Sequence, residues 1–364
     1  MRGVLAHPPQ LSAREFRQVL MGSGLDCDSE DIVPWEALPT RLGQQNTDVV
    51  VAVMSGANDS DWAMIEQGKQ LTSAPLVVVG PTADQAIHRR ARGVGASGVI
   101  DLPQLRQGLD DFVAQVSKQL GHERGKVISV FAPMAGSGAT TVAANLAAAI
   151  AYLRPEEDTG LIELAREFGD LAMMLDIEPS HAAEDVCQRW RVLDPISLRG
   201  SLQPHRSGLR ALVNSPERAV NDHLHVNSVR RLAVLSRVAT HYAVLALDNR
   251  VGECEIEALK LSDHVLLVVR PDVPSVKRAH WALTQATEAG VPGDRFILVV
   301  NRASQRGRLS RRDIESALNL PIQHRIPDDP GAITRATNRG QLVRERSPLR
   351  SITRRFATLA RDVM

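Results

Sequence analysis

Between Val127 and Ile150 the chain reads VISVFAPMAGSGATTVAANLAAAI, and its glycine-rich turn Gly136-Ser137-Gly138-Ala139-Thr140 has the look of a phosphate-binding loop between a strand and a helix. Glycines let backbone N–H groups converge on a phosphate, and a Ser or Thr hydroxyl opening the next helix can bind magnesium. A lysine in such a loop normally meets the β and γ oxygens, but that position is Ala139. The pattern therefore allows phosphate binding with weak or absent hydrolysis. A Gly-Ser-Gly turn also serves as a plain tight turn between a strand and a helix, so the loop by itself leaves both readings open.

Other polar residues follow apolar runs. The run Ala243 to Leu247 ends on Asp248, placed to hold magnesium through water together with Thr140, or to cap a turn. Phe296 to Val300 is followed by Asn301-Arg302, and a proline-stiffened segment Ile326-Pro327-Asp328-Asp329 comes later. In parallel sheets, ligands bind beyond the carboxyl ends of the strands, which is where these residues would fall.

The elements that must position them form two α/β domains, expected at 1–120 and 127–364 with a polar linker at 121–126. A chain of 364 residues is long enough for two cores. In the first domain Gly3 to Ala6, Asp31 to Pro34, Val49 to Met54, Leu76 to Val79 and Val99 to Leu102 read as strands. Helices fall between them and a last one runs from Gln104 to about Leu120. The second domain has strands at Val127 to Ala132, Gly160 to Leu164, Leu209 to Val213, Ala243 to Leu247, Val265 to Val269, Phe296 to Val300 and near Arg325. Runs that are apolar throughout indicate parallel strands covered on both faces.

Composition narrows the classes. Aromatics are 3% of the chain, which argues against base-stacking platforms for single-stranded nucleic acid. Cys27, Cys187 and Cys254 are too dispersed for a metal or redox motif and read as buried thiols in a reducing compartment. No uncharged run approaches the roughly 20 residues of a membrane span, and MRGVLAHPPQ has no apolar signal core. A cytoplasmic protein is expected, with contact to a membrane surface left open. Charge is uneven: residues 301–364 hold 14 Arg, no Lys and 6 acidic residues, a net +8 against −7 for the rest. Such an end suits anionic lipid, nucleic acid or an acidic partner, or is simply a solvated face.

The first domain resembles the receiver domain of two-component signalling, including its closing segment GASGVIDLP. A phosphorylatable receiver needs an acidic pair, an acceptor Asp and a Lys; here His7-Pro8-Pro9, Val53-Met54-Ser55 and Leu102 stand in those places. The resemblance thus implies a flavodoxin-like (βα)5 pseudo-receiver, a docking or dimerisation module, with Asp48, Asp59 and Asp61 as loop residues.

The second domain resembles the MinD/ParA ATPases, whose deviant phosphate loop reads G-K-G-G-x-G-K-T-T. Laid on it, this chain supplies Pro133, Met134, Ala135, Gly136, Ser137, Gly138, Ala139, Thr140 and Thr141, so four of nine positions depart, both lysines among them. The likeness implies a P-loop NTPase fold with a mainly parallel sheet, ATP or ADP with Mg2+ as ligands, and Asn301, Arg302, Pro327 and Asp328 embracing the adenine. Closer still, ELAREFGDLAMMLDIEPSHAAEDV (Glu163 to Val186), HRSGLRALVNSPE (from His205), VVRPDVPSVKRA (from Val268) and IPDDPGAITRATNRGQ (from Ile326) are similar to the CpaE/TadZ pilus-assembly family. That family places a receiver-like domain before a MinD/ParA-like one. It implies a dimer that binds ATP and positions pilus and secretion machinery at the inner membrane or a cell pole. Glu163 stands for the first aspartate of the family's D-L-D, and Ala165 for the second, which orients the attacking water. Losing one charge-stabilising donor costs roughly 3 kcal/mol of transition-state stabilisation, so little or no ATPase activity is expected. Arg166 and Arg250 are the cations considered as replacements, or are ordinary surface arginines.

At the end, Leu349, Ile352, Phe356, Leu359 and Val363 recur at helical spacing among Arg350, Arg354, Arg355 and Arg361. This amphipathic basic helix could touch a membrane or dock on its own sheet. The leading expectation is an assembly scaffold of a Flp/Tad-type pilus or type II-like secretion system. The alternatives are an active MinD/ParA-type ATPase of cell polarity or septum placement, and a DNA-partitioning ATPase. The last fits poorly with the missing lysines, which disfavours nucleic acid as a partner.

Overall fold

A computed structural model describes residues 2–8, 13–23, 25, 27–44, 47–54, 59–81, 85–119, 125–166, 169–190, 192–193, 195–215, 217 and 223–364. The chain divides into two compact units, Met1–Arg124 and Gly125–Met364. Residues 121–124 of the expected linker lie outside the described residues. Gly125 already belongs to the second unit, where its N–H donates to the Arg237 carbonyl at 2.8 Å.

In the first unit β1 (Gly3–His7), β2 (Ile32–Pro34), β3 (Val49–Val53), β4 (Leu76–Val79) and β5 (Gly98–Ile100) pair in parallel in the order β2-β1-β3-β4-β5. This is the flavodoxin-like order. Successive side chains point to opposite faces: Val50 and Ala52 pack with Trp35, Trp62 and Ile65, while Val49, Val51 and Val53 pack with Phe16, Leu109 and Phe112. The carboxyl ends of β1, β3 and β5 lead into His7-Pro8, Met54 and Asp101-Leu102. Pro9 and Ser55, part of the expected triplets, lie outside the described residues. Asp48 sits at the other end of the sheet, accepting from the Arg2 N–H at 2.7 Å. Asp59 and Asp61 are not in a loop; they open the helix Asp59–Gln70, where acidic groups favour the dipole, and Asp59 pairs with Arg90. The expected strand at Val99 to Leu102 stops at Ile100, because Pro103 helps start a 3-10 turn at Leu102–Gln104.

The second unit is an eight-stranded sheet: β6 (Lys126–Phe131), β7 (Thr159–Leu164), β8 (Gln203–Pro204), β9 (Arg210–Leu212), β10 (Tyr242–Leu247), β11 (His264–Val269), β12 (Phe296–Val300) and β13 (Ile322–Arg325). Their order is β13-β12-β11-β6-β10-β7-β9-β8, parallel throughout except for β8 against β9. Chain order runs away from β6 in both directions, so a crevice opens at its carboxyl end. The helix after β6, Ala139–Leu153, is almost entirely buried; its many alanines let it lie close on the sheet. The last helix, Ser351–Val363, packs Ile352, Phe356, Leu359 and Val363 into the same core, while Arg354, Arg355 and Arg361 stay exposed. Leu349 is 90% exposed and so falls outside the apolar stripe read from the sequence, because it precedes the helix. Among the described residues no helix is long and apolar enough to cross a membrane.

Candidate functional site

The glycine loop leaves the carboxyl end of β6 and closes on the helix N-terminus. Gly136 and Gly138 sit at φ 74° and 94°, the left-handed region that glycine enters without penalty. At Gly138 a second constraint applies, since a Cβ there would stand 2.5 Å from the Asn301 Nδ2. That amide donates to the Ser137 carbonyl at 2.8 Å. Ser137 is fully buried, with its Oγ 3.4 Å from the Ser275 Oγ, and the Ser275 Oγ in turn accepts from the Arg270 N–H at 2.9 Å. The loop is thus pinned from behind by the ends of β11 and β12. In front, the helix starts with no side-chain cap and no acidic residue in its first turn. Such a start presents unsatisfied N–H donors and the positive end of the helix dipole to an anion.

This loop walls a cleft of about 540 Å³ that also takes in Glu163, Ala165, Asp248, Arg250 and Arg302. Thr140 and Asp248 line it together. Asp248 accepts from the Asn249 N–H at 2.6 Å through Oδ1, and its Oδ2 lies 3.9 Å from the Arg250 Nε. A hydroxyl and a carboxylate beside a phosphate cradle suit Mg2+, which takes one or two protein oxygens and completes its shell with phosphate and water. Among the described residues no group of three or more His, Cys, Asp or Glu could hold a metal alone.

A second cleft, of about 310 Å³, adjoins the first, and both include Gly138, Thr141 and Arg302. Its lining is mixed: Val142, Ile326, Pro327, Ile333, Ile352 and Phe356 form an apolar flank, and Asn301, Arg302, Asp328, Asp329 and Thr334 a polar one. Asp329 caps the helix Pro330–Thr337 by accepting from the Ala332 N–H at 3.0 Å and also pairs with Arg350 at 2.9 Å, tying the last helix to this wall. A slot with an apolar flank and polar edge, joined to an anion cradle, suits the two halves of a nucleotide, a flat base with polar rim atoms and a charged tail.

Comparison with solved structures gives the same answer for the fold. The ParA family ATPase of Chlorobium tepidum aligns with 65% of this chain and 98% of its own length, at 24% identity and a TM-score of 0.58. The cell division ATPase MinD of Pyrococcus furiosus aligns over 66% and 98% at 18% identity and 0.57. The septum site-determining MinD of Pyrococcus horikoshii, solved with Mg-ADP, aligns over 66% and 96% at 16% identity and 0.57. The covered share is about that of Gly125–Met364. This unit has the MinD/ParA P-loop ATPase fold. No family model and no curated protein matches the sequence.

Within the MinD/ParA-like unit, Gly136, Ser137, Gly138, Ala139, Thr140, Thr141 and Asp248 all line the first cleft, and Asn301, Arg302, Pro327 and Asp328 line the second. Asn301 has a further contact: Nδ2 donates one N–H to the Ser137 carbonyl and Oδ1 accepts from the Arg302 N–H at 3.0 Å, which leaves a second N–H and a second lone pair on the amide. Arg166 does not replace the lysine, because its guanidinium donates to the Leu224 carbonyl at 2.9 Å and the residue lines neither cleft. Arg250 does line the phosphate cleft.

Sequence reasoning treated Glu163 only as a substituted aspartate, yet it organises one wall of this cleft. The side chain is 3% exposed, and its two oxygens accept from the Leu171 N–H at 3.2 Å and the Asn214 N–H at 2.9 Å. Burial raises its pKa from 4.5 to about 7; those two N–H donors oppose the shift, and the Asp170 and Glu184 charges add to it. Gly169 makes room, since a Cβ there would fall 2.3 Å from the Glu163 Oε2. The Gly169 in the GDL triplet was the available sequence signal.

Proposed function

We propose that this protein is a positioning scaffold for pilus or type II-like secretion assembly that holds an adenine nucleotide as a structural ligand and hydrolyses it little or not at all. The observation that carries the nucleotide half is the pair of joined clefts, an uncapped glycine loop running into a slot with an apolar flank, with no lysine lining either cleft. Main-chain donors at a helix start bind phosphate without side-chain charge. Thr140 and Asp248 would hold Mg2+, which when bound neutralises phosphate charge and orients it. Met134, Ala139 and Ala165 stand where the ATPases carry the groups that drive phosphoryl transfer, a reaction that depends on positioned charge. Solved relatives of the same fold have been captured with Mg-ADP and with ATP, which supports nucleotide as the ligand class. The assembly half rests on the CpaE/TadZ-like segments Glu163 to Val186 and Ile326 to Gln341 and on a flavodoxin-like unit in front. In this reading the front unit is a pseudo-receiver, and the working form is a homodimer at the inner membrane or cell pole.

Calorimetric titration of the full chain with ADP and ATP, run beside a turnover assay with Mg2+, tests the first half. Binding without turnover is expected. No heat at millimolar nucleotide would remove the ligand, and brisk turnover would replace the scaffold with an active ATPase. Deletion in the host, scored for surface pili, tests the second half.

A further inference from the structure

A nucleotide tail carries two or more negative charges into the joined clefts, and a cation that meets them is missing from the loop. Four arginines closely follow strand ends of this sheet: Arg166, Arg250, Arg270 and Arg302. Arg166 is bound to the Leu224 carbonyl. Arg270 approaches the loop behind Gly136 but is paired with Asp272 at 2.9 Å and lines neither cleft. Arg250 lines the phosphate cleft beside the Asp248 carboxylate, 3.9 Å away. Arg302 lines both clefts, and among the described residues its guanidinium makes no hydrogen bond or ion pair.

The backbone at Arg302 points the same way. It holds φ 52°, a left-handed conformation that costs an arginine roughly 1 kcal/mol, and the Asn301 Oδ1 secures it by accepting its N–H at 3.0 Å. Strain of this kind persists where the surroundings fix it, and it concentrates at ligand clamps. The same Asn301 grips Ser137, so one side chain touches both the loop and Arg302. Resting on the nucleotide reading above, we propose that Arg302 is the cation replacing the loop lysine. It enters from the base side and neutralises the diphosphate where the two clefts meet at Gly138 and Thr141. The site so built recognises a nucleoside diphosphate moiety and is indifferent to a third phosphate. A lysine in the loop would reach the β and γ oxygens, whereas a cation at the junction of base and phosphate clefts meets the phosphates nearest the sugar. Bound nucleotide would then mark neither an ATP nor an ADP state.

The test is calorimetry on the full chain with Mg2+ and four probes: ADP, ATP, AMP and inorganic pyrophosphate. Equal affinity for ADP and ATP is expected, with AMP weaker. Pyrophosphate separates a plain anion site from a nucleotide site, and its binding at ADP strength would overturn the proposal. Arg302→Ala is expected to weaken ADP about tenfold, the guanidinium being solvent-screened, and to flatten the salt dependence of binding. Arg302→Gly removes the same charge while relieving the backbone, so a matching loss there excludes misfolding. Wild-type affinity in both variants, or a clear preference for ATP over ADP, overturns the assignment of Arg302 while leaving a nucleotide site standing. No binding of any nucleotide by the wild type sinks both.

Discussion

The Asn301 side chain donates to the Ser137 carbonyl at 2.8 Å across the gap between the end of β12 and the glycine loop after β6. Two segments more than 160 residues apart are joined by one amide. β11 lies between their strands in the sheet, so the contact spans a whole strand. The geometry is possible because Gly138 lacks a Cβ and leaves space for the Asn301 Nδ2. Loop shape and the base-side strand end are therefore one mechanical unit.

Breaking that unit should be measurable without any ligand. Asn301→Ala removes a partly buried hydrogen bond and leaves the Ser137 carbonyl short of a donor, a loss of about 1–2 kcal/mol in urea denaturation. Gly138→Ala puts a methyl group against Asn301 at φ 94° and is expected to cost more, about 2–3 kcal/mol. Wild-type stability in both variants would show that the stitch does not hold the loop.

Much of this was legible in the residues for a physical reason. Parallel strands buried on both faces must be apolar along their length, so β3, β4, β10, β11 and β12 announce themselves. β8 escaped because it is two residues long, contains Pro204 and pairs antiparallel at the edge, where neither period nor composition marks a strand. That the residues following those strands would gather at one crevice was readable because a parallel sheet delivers its strand ends to one side. What the residues next to them do was not. Asn301 became a stitch and Glu163 a buried clamp through partners distant in sequence, Ser137 and Asn214. Tertiary contacts of that range leave no local pattern.

Restoring the loop cation tests whether the missing lysine limits nucleotide binding and turnover. Ala139→Lys places an ammonium at the first helical position of a cleft that already holds Thr140 and Asp248. ATP affinity is expected to rise about tenfold, while turnover stays near background because Ala165 cannot orient water. Paired titration and phosphate-release assays check this. A return of strong turnover in this single variant would mean that the missing lysine alone silences the site.

The last helix supplies a contrast between two apolar residues. Phe356 is 2% exposed and walls the base cleft, so Phe356→Ala is expected to cost about 3–4 kcal/mol in denaturant unfolding and to weaken ADP. Leu349 is 90% exposed, and Leu349→Ala will stay within about 0.5 kcal/mol of wild type. The opposite ranking would mean that the helix presents its apolar stripe elsewhere.

Glu163 makes stability depend on pH in an unusual direction. Its folded carboxyl titrates at about 7, against 4.5 for the free group, because burial opposes the charge. Between those values the folded chain keeps a proton that the unfolded chain has released, so raising the pH favours unfolding. The stabilising contribution is complete below about 4.5 and disappears as pH rises through about 7, a span on the order of 3 kcal/mol. Glu163→Gln imitates the protonated form at every pH. The variant should lose about 1 kcal/mol at low pH, where one of the Leu171 and Asn214 N–H groups faces an amide nitrogen. From about pH 5 to about pH 8, however, its stability should lack the decline that this carboxyl imposes on the wild type. Urea denaturation of both proteins across that range decides the point: parallel curves would assign the titration to another group, and a wild type that gains stability with pH relative to the variant would reverse the sign of the argument.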